Sequence, residues 1–249
     1  MPSYQWKDHT LFYRTQGEGP LLLILPGDTA TSICYQGEID YFSDRFRTIA
    51  PDFLGTGQSE RMDEWPVNWW EQAAFQMGSL VDHLNVENCL VMGSSGGAIV
   101  ALLMAIHYPE KVRAVVADSF ADRISRENAL ENVVKDRAKK TDAQRGFWEY
   151  AQGPDWEQVV DADTAMFMKF VEAGGDCFSG RLGDVKCPVL ITASKKDDAF
   201  PHLAPQIGSI VDQIEDCRAY IHAHGDHPMM WTAPDEFHAV SDLFLKKFI

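Results

Sequence analysis

Ser95 sits between glycines in the run Cys89-Leu90-Val91-Met92-Gly93-Ser94-Ser95-Gly96-Gly97-Ala98. The apolar residues before it read as a short strand, and the periodic set Ile99, Leu102, Leu103 and Ile106 after it reads as a helix. A serine on a sharp strand-to-helix turn has its hydroxyl exposed, which is the geometry of a nucleophile elbow, G-x-S-x-G. Gly93 and Gly97 keep bulk away from the crossing of strand and helix, and Gly96 lets a substrate approach the backbone. A Gly/Ser cluster is also an ordinary loop composition. The flanking strand and helix favour the elbow.

A serine hydroxyl is a weak nucleophile until a base removes its proton. Histidines that could serve cluster late in the chain, at His222, His224 and His227. Acids that could orient a histidine follow apolar runs: Asp118 after Val112 to Ala117, and Asp197 and Asp198 after Val189 to Ala193. The charged run Lys195-Lys196-Asp197-Asp198 also reads as a plain solvated turn.

Elements that would position these residues alternate along the chain. An opening strand or hairpin is expected over Tyr4 to Thr15, then strands at Leu21 to Leu25, Phe46 to Ala50, Cys89 to Met92, Val112 to Ala117, Val189 to Ala193 and Ala219 to His222. Helices are expected at Ile33 to Phe42, Trp69 to Leu84, after Ser95, near His202 to Val211, and at Asp235 to Phe248. Such alternation predicts an α/β fold with a mostly parallel sheet covered on both faces. Ligands bind beyond the carboxyl ends of such strands, and every candidate named above follows a predicted strand. Residues 120 to 184 break the pattern with helices only: Glu127 to Lys140, Asp142 to Tyr150, Trp156 to Val160 and Asp163 to Glu172. Their large side chains, Phe147, Trp148, Tyr150, Trp156, Met166, Phe167, Met168 and Phe170, mostly pack the helices, but some are expected to line an apolar pocket.

The 249 residues suit one large domain with a modest insertion, and 45% hydrophobic content with 7 Trp and 14 Phe supports a substantial core. With 37 acidic against 22 basic residues, the net charge is -15. That surface argues against a nucleic-acid footprint, which needs a basic patch, and mildly favours neutral or cationic substrates. Five cysteines, Cys34, Cys89, Cys177, Cys187 and Cys217, show neither disulfide nor zinc spacing. The start, Met1 to Asp8, lacks the basic and apolar regions of a signal peptide. The run Leu21 to Pro26 is too short to cross a bilayer. A cytoplasmic protein, monomeric or a small homo-oligomer and without a membrane span, is the expectation.

Taken together, Leu25-Pro26-Gly27-Asp28, Asp52-Phe53-Leu54-Gly55-Thr56-Gly57-Gln58-Ser59, Gly93-Ser94-Ser95-Gly96-Gly97, Lys196-Asp197 and His227 with Pro234 seven residues on resemble the α/β-hydrolase superfamily. Within it, the chain is similar to valacyclovir-hydrolase-like small serine esterases. The resemblance implies an α/β-hydrolase core at residues 1–119 and 185–249, with a helical cap, 120–184, inserted after the sixth core strand. It implies a triad of Ser95 as nucleophile, His227 as base and Asp197 as the acid that orients it. Ser94, His224, and Asp198 or Asp118 are the respective rivals. The oxyanion hole would use the backbone N–H groups of Gly96 and Asp28. No metal and no organic cofactor is implied; the substrate is a small carboxylic ester or related acyl compound. Amide, thioester, lactone and carbon–carbon bond hydrolysis use the same set, and a non-catalytic binding protein on this fold is the reading from another class. A serine at position 95 disfavours haloalkane dehalogenase and epoxide hydrolase chemistry, whose family members use aspartate there. In the valacyclovir-hydrolase pattern an acid follows the nucleophile and receives the substrate's amino group. Here that position is Gly96, which leaves Asp28 or a cap carboxylate as a substitute.

Overall fold

Leu21–Leu25 is buried along its whole length because alternate side chains feed two cores. Leu21, Leu23 and Leu25 join one cluster, while Leu22 and Ile24 join the other. The same alternation splits Val91 from Leu90 and Met92, and Val115 and Ala117 from Ala114 and Val116. Strands with two apolar faces need helices on both sides, and a parallel sheet provides them.

The computed structural model describes residues 2–201 and 203–249. Among them, β1 (Ser3–Trp6), β2 (His9–Gln16), β3 (Leu21–Leu25), β4 (Arg47–Pro51), β5 (Cys89–Ser94), β6 (Val112–Asp118), β7 (Val189–Ser194) and β8 (Cys217–His222) form one sheet in the order β1-β2-β4-β3-β5-β6-β7-β8. The pairs β1/β2 and β2/β4 are antiparallel and all others are parallel. Helices α1 (Gln36–Phe42), α2 (Trp69–His83) and α3 (Gly96–His107) lie between the strands up to β6. The helix expected from His202 is α8 (Leu203–Gln213), and His202, like Met1, lies outside the described residues. The short α9 (Met229–Thr232) and α10 (Pro234–Leu245) follow β8. α2, α3 and α8 contribute to one core, and α1, α9 and α10 to the other. No helix among the described residues is long and apolar enough to cross a membrane.

Between β6 and β7 the chain makes helices and a single isolated bridge, Arg123 with Asp176. The expected helix over Glu127 to Lys140 is one helical run, α4 (Arg126–Asn128), a π-helical stretch Ala129–Val134 and α5 (Lys135–Ala138). α6 (Asp142–Gln152) starts at a Thr141/Gln144 capping box and stops at Gly153, whose φ is 87°. The two helices expected over Trp156 to Val160 and Asp163 to Glu172 are in fact one, α7 (Trp156–Glu172). The intervening Asp161 and Ala162 include no glycine or proline to stop a helix, so the turn at Val160 simply continues. The region is tied to the loops above the sheet by hydrogen bonds from Thr31 Oγ1 to Ala151 O (2.9 Å), Gln152 Nε2 to Thr29 O (2.8 Å) and Gly57 N to Gln152 Oε1 (2.8 Å). These bonds hold α6 over the carboxyl ends of β3 and β4.

Candidate active site

β5 ends at Ser94, and the next residue turns sharply: Ser95 has φ 53° and ψ -122° and is the N-cap of α3. A non-glycine residue in the left-handed region stores of order 1–3 kcal/mol of strain and survives only where its surroundings enforce it. Here they do. The Ser95 N–H donates to Asp118 O (2.8 Å), while Ser95 O accepts from Ala98 N and Ile99 N of α3. A Cβ on Gly93 would lie 2.2 Å from Gly97 O, so strand and helix meet there only without a side chain. Ser94 is buried and its Oγ is held 2.6 Å from the Tyr35 hydroxyl, which also accepts the Gly27 N–H at 2.9 Å. Ser94 is therefore engaged in structure, whereas Ser95 lines a cavity.

The histidine and acid candidates separate by position. His227 Nδ1 lies 2.8 Å from Oδ2 of the buried Asp197, and its backbone N–H donates to Asp198 Oδ1 at 3.2 Å. The other oxygen of Asp197 accepts the Phe200 N–H (2.8 Å). His222 accepts the Gly225 N–H on Nδ1, and His224 is exposed. Asp118 is fully buried, accepting hydrogen bonds from Thr192 Oγ1 (2.7 Å) and Met230 N (3.0 Å), with Ser119 Oγ at 3.2 Å. It braces α9 rather than the imidazole. Burial pushes its carboxyl up to about 6. For His227, burial favours the neutral ring, but the hydrogen bond and charge of Asp197, helped by Asp118 and Asp198, outweigh it and raise the pKa. The hydrogen bonds do not include one between Ser95 Oγ and His227, a link that commonly tightens only once substrate is bound.

A cavity of about 410 Å³ opens above these residues, lined by Ser95 and His227 together with Asp28, Phe147, Trp148 and Phe167. Asp28 stands on a tight turn closed by Ala30 N to Gly27 O (3.1 Å), with Thr29 at φ 60°. Among the described residues neither the Asp28 nor the Gly96 N–H has a hydrogen-bond acceptor. The Asp28 side chain accepts the Trp70 indole N–H at 2.9 Å. A Cβ on Gly96 would fall 2.0 Å from Asp28 Oδ1, so the carboxylate occupies the space that a side chain at position 96 would need. Desolvation raises the Asp28 pKa to about 7, and the nearby Asp163 adds to the rise; Arg137, Trp70 and His227 oppose it. Asp163, fully buried on α7, pairs through Oδ1 with Arg137 of α5, and its Oδ2 has no partner among the described residues. Arg137 also donates to Thr164 Oγ1 (2.9 Å). No group of three or more metal-ligating side chains occurs among the described residues.

Residues 20–167 match the family described as the alpha/beta hydrolase fold, which is more than half of the chain. The chain belongs to the alpha/beta-hydrolase family. It is 26% identical over 251 residues to the serine hydrolase BPHL of Mus musculus, covering 95% of this chain and 83% of that one. It is 35% identical over 115 residues to haloalkane dehalogenase 2 of Mycobacterium tuberculosis, covering 45% of this chain and only 40% of that relative's length. Among solved structures, the meta-cleavage product hydrolase from Pseudomonas fluorescens IP01 superposes with a TM-score of 0.80 at 18% identity, covering 99% and 98% of the two chains. That likeness is one of fold.

Within this hydrolase fold, the predicted residues Ser95, His227 and Asp28 share one cavity, with Asp197 behind His227 and Gly96 beneath Asp28. Of the aromatic residues expected around the pocket, Phe147, Trp148 and Phe167 line it. Tyr150 points to solvent, Trp156 stacks on Trp148 and Phe170 packs on Trp70. Tyr35, Trp70, Arg137, Asp163 and Phe200 escaped the sequence reading. A charged Asp163 among Val159, Val160, Met166 and Phe167 on one helix was the available signal, because a charge on an apolar face needs a partner.

Proposed function

We propose that this protein is a serine hydrolase of small carboxylic esters that works through an acyl-enzyme. The observation that carries this reading is the strained, left-handed Ser95 opening on the same cavity as a His227 anchored to buried Asp197. His227 takes the Ser95 proton as Oγ attacks the carbonyl, and Asp197 stabilises the imidazolium that forms. The unengaged N–H groups of Asp28 and Gly96 receive the oxyanion. The imidazolium then protonates the departing alcohol, and water activated by the same histidine releases the acid. Residues 120–184 act as a cap that supplies the apolar wall of the pocket, over a core of residues 1–119 and 185–249.

Asp28 adds a substrate preference. Asp28, Asp163 and Arg137 together carry a formal charge of -1 when ionised, and Asp28 is the member without a cationic partner. A buried, uncompensated carboxylate is costly, and a substrate ammonium beside the ester carbonyl would offset that cost. Esters carrying a protonated amine close to the carbonyl are thus favoured over neutral isosteres.

Burst kinetics with p-nitrophenyl acetate, alongside fluorophosphonate labelling, tests the reading. A stoichiometric burst and labelling that disappear in Ser95→Ala are the expected results. Absence of both from folded wild-type protein would sink it and leave a non-catalytic binding protein on the same fold.

A further inference from the structure

A second concavity, a groove of about 720 Å³, lies beside the first; Ile124, Val171, Pro201 and Pro205 line it together with polar side chains that include Asp122 and Arg126. Among the described residues, Phe200 alone lines both spaces. Phe200 is thus the wall they share. The Phe200 backbone is held by its N–H bond to Asp197 Oδ1 (2.8 Å), and Ala199 O accepts Asn128 Nδ2 from α4 (3.2 Å). The Phe200 ring itself stands edge-on to the His227 imidazole, 5.6 Å between centroids.

Which part of a substrate meets this wall follows from the chemistry of His227. The imidazolium must reach the leaving oxygen to protonate it, so the alcohol half of an ester lies on the His227 side and the acyl half points toward Gly96 and Asp28. We infer that Phe200 sets the size limit on the leaving alcohol, closing the catalytic pocket against an adjoining groove suited to a long alkyl chain. This rests on the ester-hydrolase reading above. Ile124, Val171, Pro201 and Pro205 supply apolar surface for such a chain alongside the groove's polar side chains.

Acetate esters of straight-chain alcohols from ethanol to octanol, followed by acid release, read the limit directly. In the wild type, kcat/KM levels off beyond butyl. In Phe200→Ala it continues to climb toward the roughly fourfold per methylene that apolar burial supplies, raising the octyl-to-butyl ratio at least tenfold. Phe200→Leu falls between the two. Both variants keep the backbone N–H that Asp197 accepts. An unchanged ratio overturns the inference. An equal shift in a series varied on the acyl side, butyl acetate to butyl octanoate, overturns it too, because that would be general loosening. Calorimetric titration with 1-octanol, which needs no catalysis, separates the two ideas. Should no ester be turned over, the hydrolase reading fails, while at least tenfold tighter octanol binding by Phe200→Ala still supports the partition and equal binding rejects it.

Discussion

At the scale of single residues, the chemistry depends on which of several neighbouring groups faces the cavity. Ser94 and Ser95 are chemically identical, but Ser94 Oγ is held by Tyr35. Ser94→Ala should therefore keep fluorophosphonate labelling, while Ser95→Ala loses it. Asp197→Asn should lower kcat by on the order of 10⁴ by favouring the wrong imidazole tautomer, whereas Asp118→Asn should act mainly on stability through the Met230 N–H it anchors. Because Asp197 raises the His227 pKa, and the base must be neutral, the acid limb of the kcat/KM profile should lie above the ordinary histidine value of 6.5. A limb at or below that value would contradict the geometry. Asp28→Asn should reduce the ratio of amino-ester to neutral-ester kcat/KM at least tenfold. In the wild type that ratio should grow as pH rises through about 7, where Asp28 ionises. A ratio flat across pH 5.5 to 8 would remove Asp28 from substrate recognition.

At the scale of elements, the helices between β6 and β7 are joined by specific side-chain contacts. Trp148 stacks on Trp156, binding α6 to α7, and Arg137 pairs with Asp163, binding α5 to α7. The Arg137 side chain is only 13% exposed and that of Asp163 is fully buried. Removing one partner of such a pair leaves an uncompensated charge and costs about 3–5 kcal/mol. Urea unfolding of Asp163→Ala should show a loss of that order, and Asp163→Asn, which keeps a hydrogen-bond acceptor, a smaller one. If Asp163→Ala unfolds at the wild-type urea midpoint, the pair is not what holds α5 to α7. The π-helical stretch Ala129–Val134 belongs to the same level: it precedes Arg137 on one helical run, and Asn132 and Val133 from it line the cavity.

At the scale of the whole molecule, stability should depend on pH in the direction opposite to that of a protein held by exposed ion pairs. Glu38, buried on α1, is pushed by desolvation to about 7, and Asp118 and Asp28 are raised by the same cause. His227 is also raised. A group whose folded pKa exceeds its unfolded value binds its proton more tightly in the native state. Its contribution is complete below the unfolded pKa and is lost as pH climbs through the folded one. For the three carboxyls that window runs from about 4 to about 7, and for His227 it begins near 6.5. All four act in one direction, and a net charge of -15 adds self-repulsion as pH rises. The Tm should therefore fall by several degrees between pH 5.5 and 8. Glu38→Gln should flatten part of that slope, and a Tm that rises over the interval would refute the assignment.

Much of this was legible in the residue order because its causes are local. The continuous apolar run Leu21 to Leu25 marks a strand buried on both faces. The small residues around Ser95 mark a crossing of strand and helix, and His227 before Pro234 together with Asp197 after Val189 to Ala193 fits the superfamily order. The break expected inside α7 was not there, because nothing local stops that helix and its buried face runs on through Asp163. What only the tertiary structure decided concerns groups far apart in sequence. Tyr35 reaches Ser94 across 59 positions, Arg137 finds Asp163, and Phe200 comes to stand between two cavities. Asp28 lies against Gly96 with its carboxylate in the space another side chain would fill. A sequence prescribes which residues dislike water and which turns are allowed, since those depend on neighbours along the chain. Which charge ends up without a partner depends on neighbours in space, and those exist only once the chain has folded.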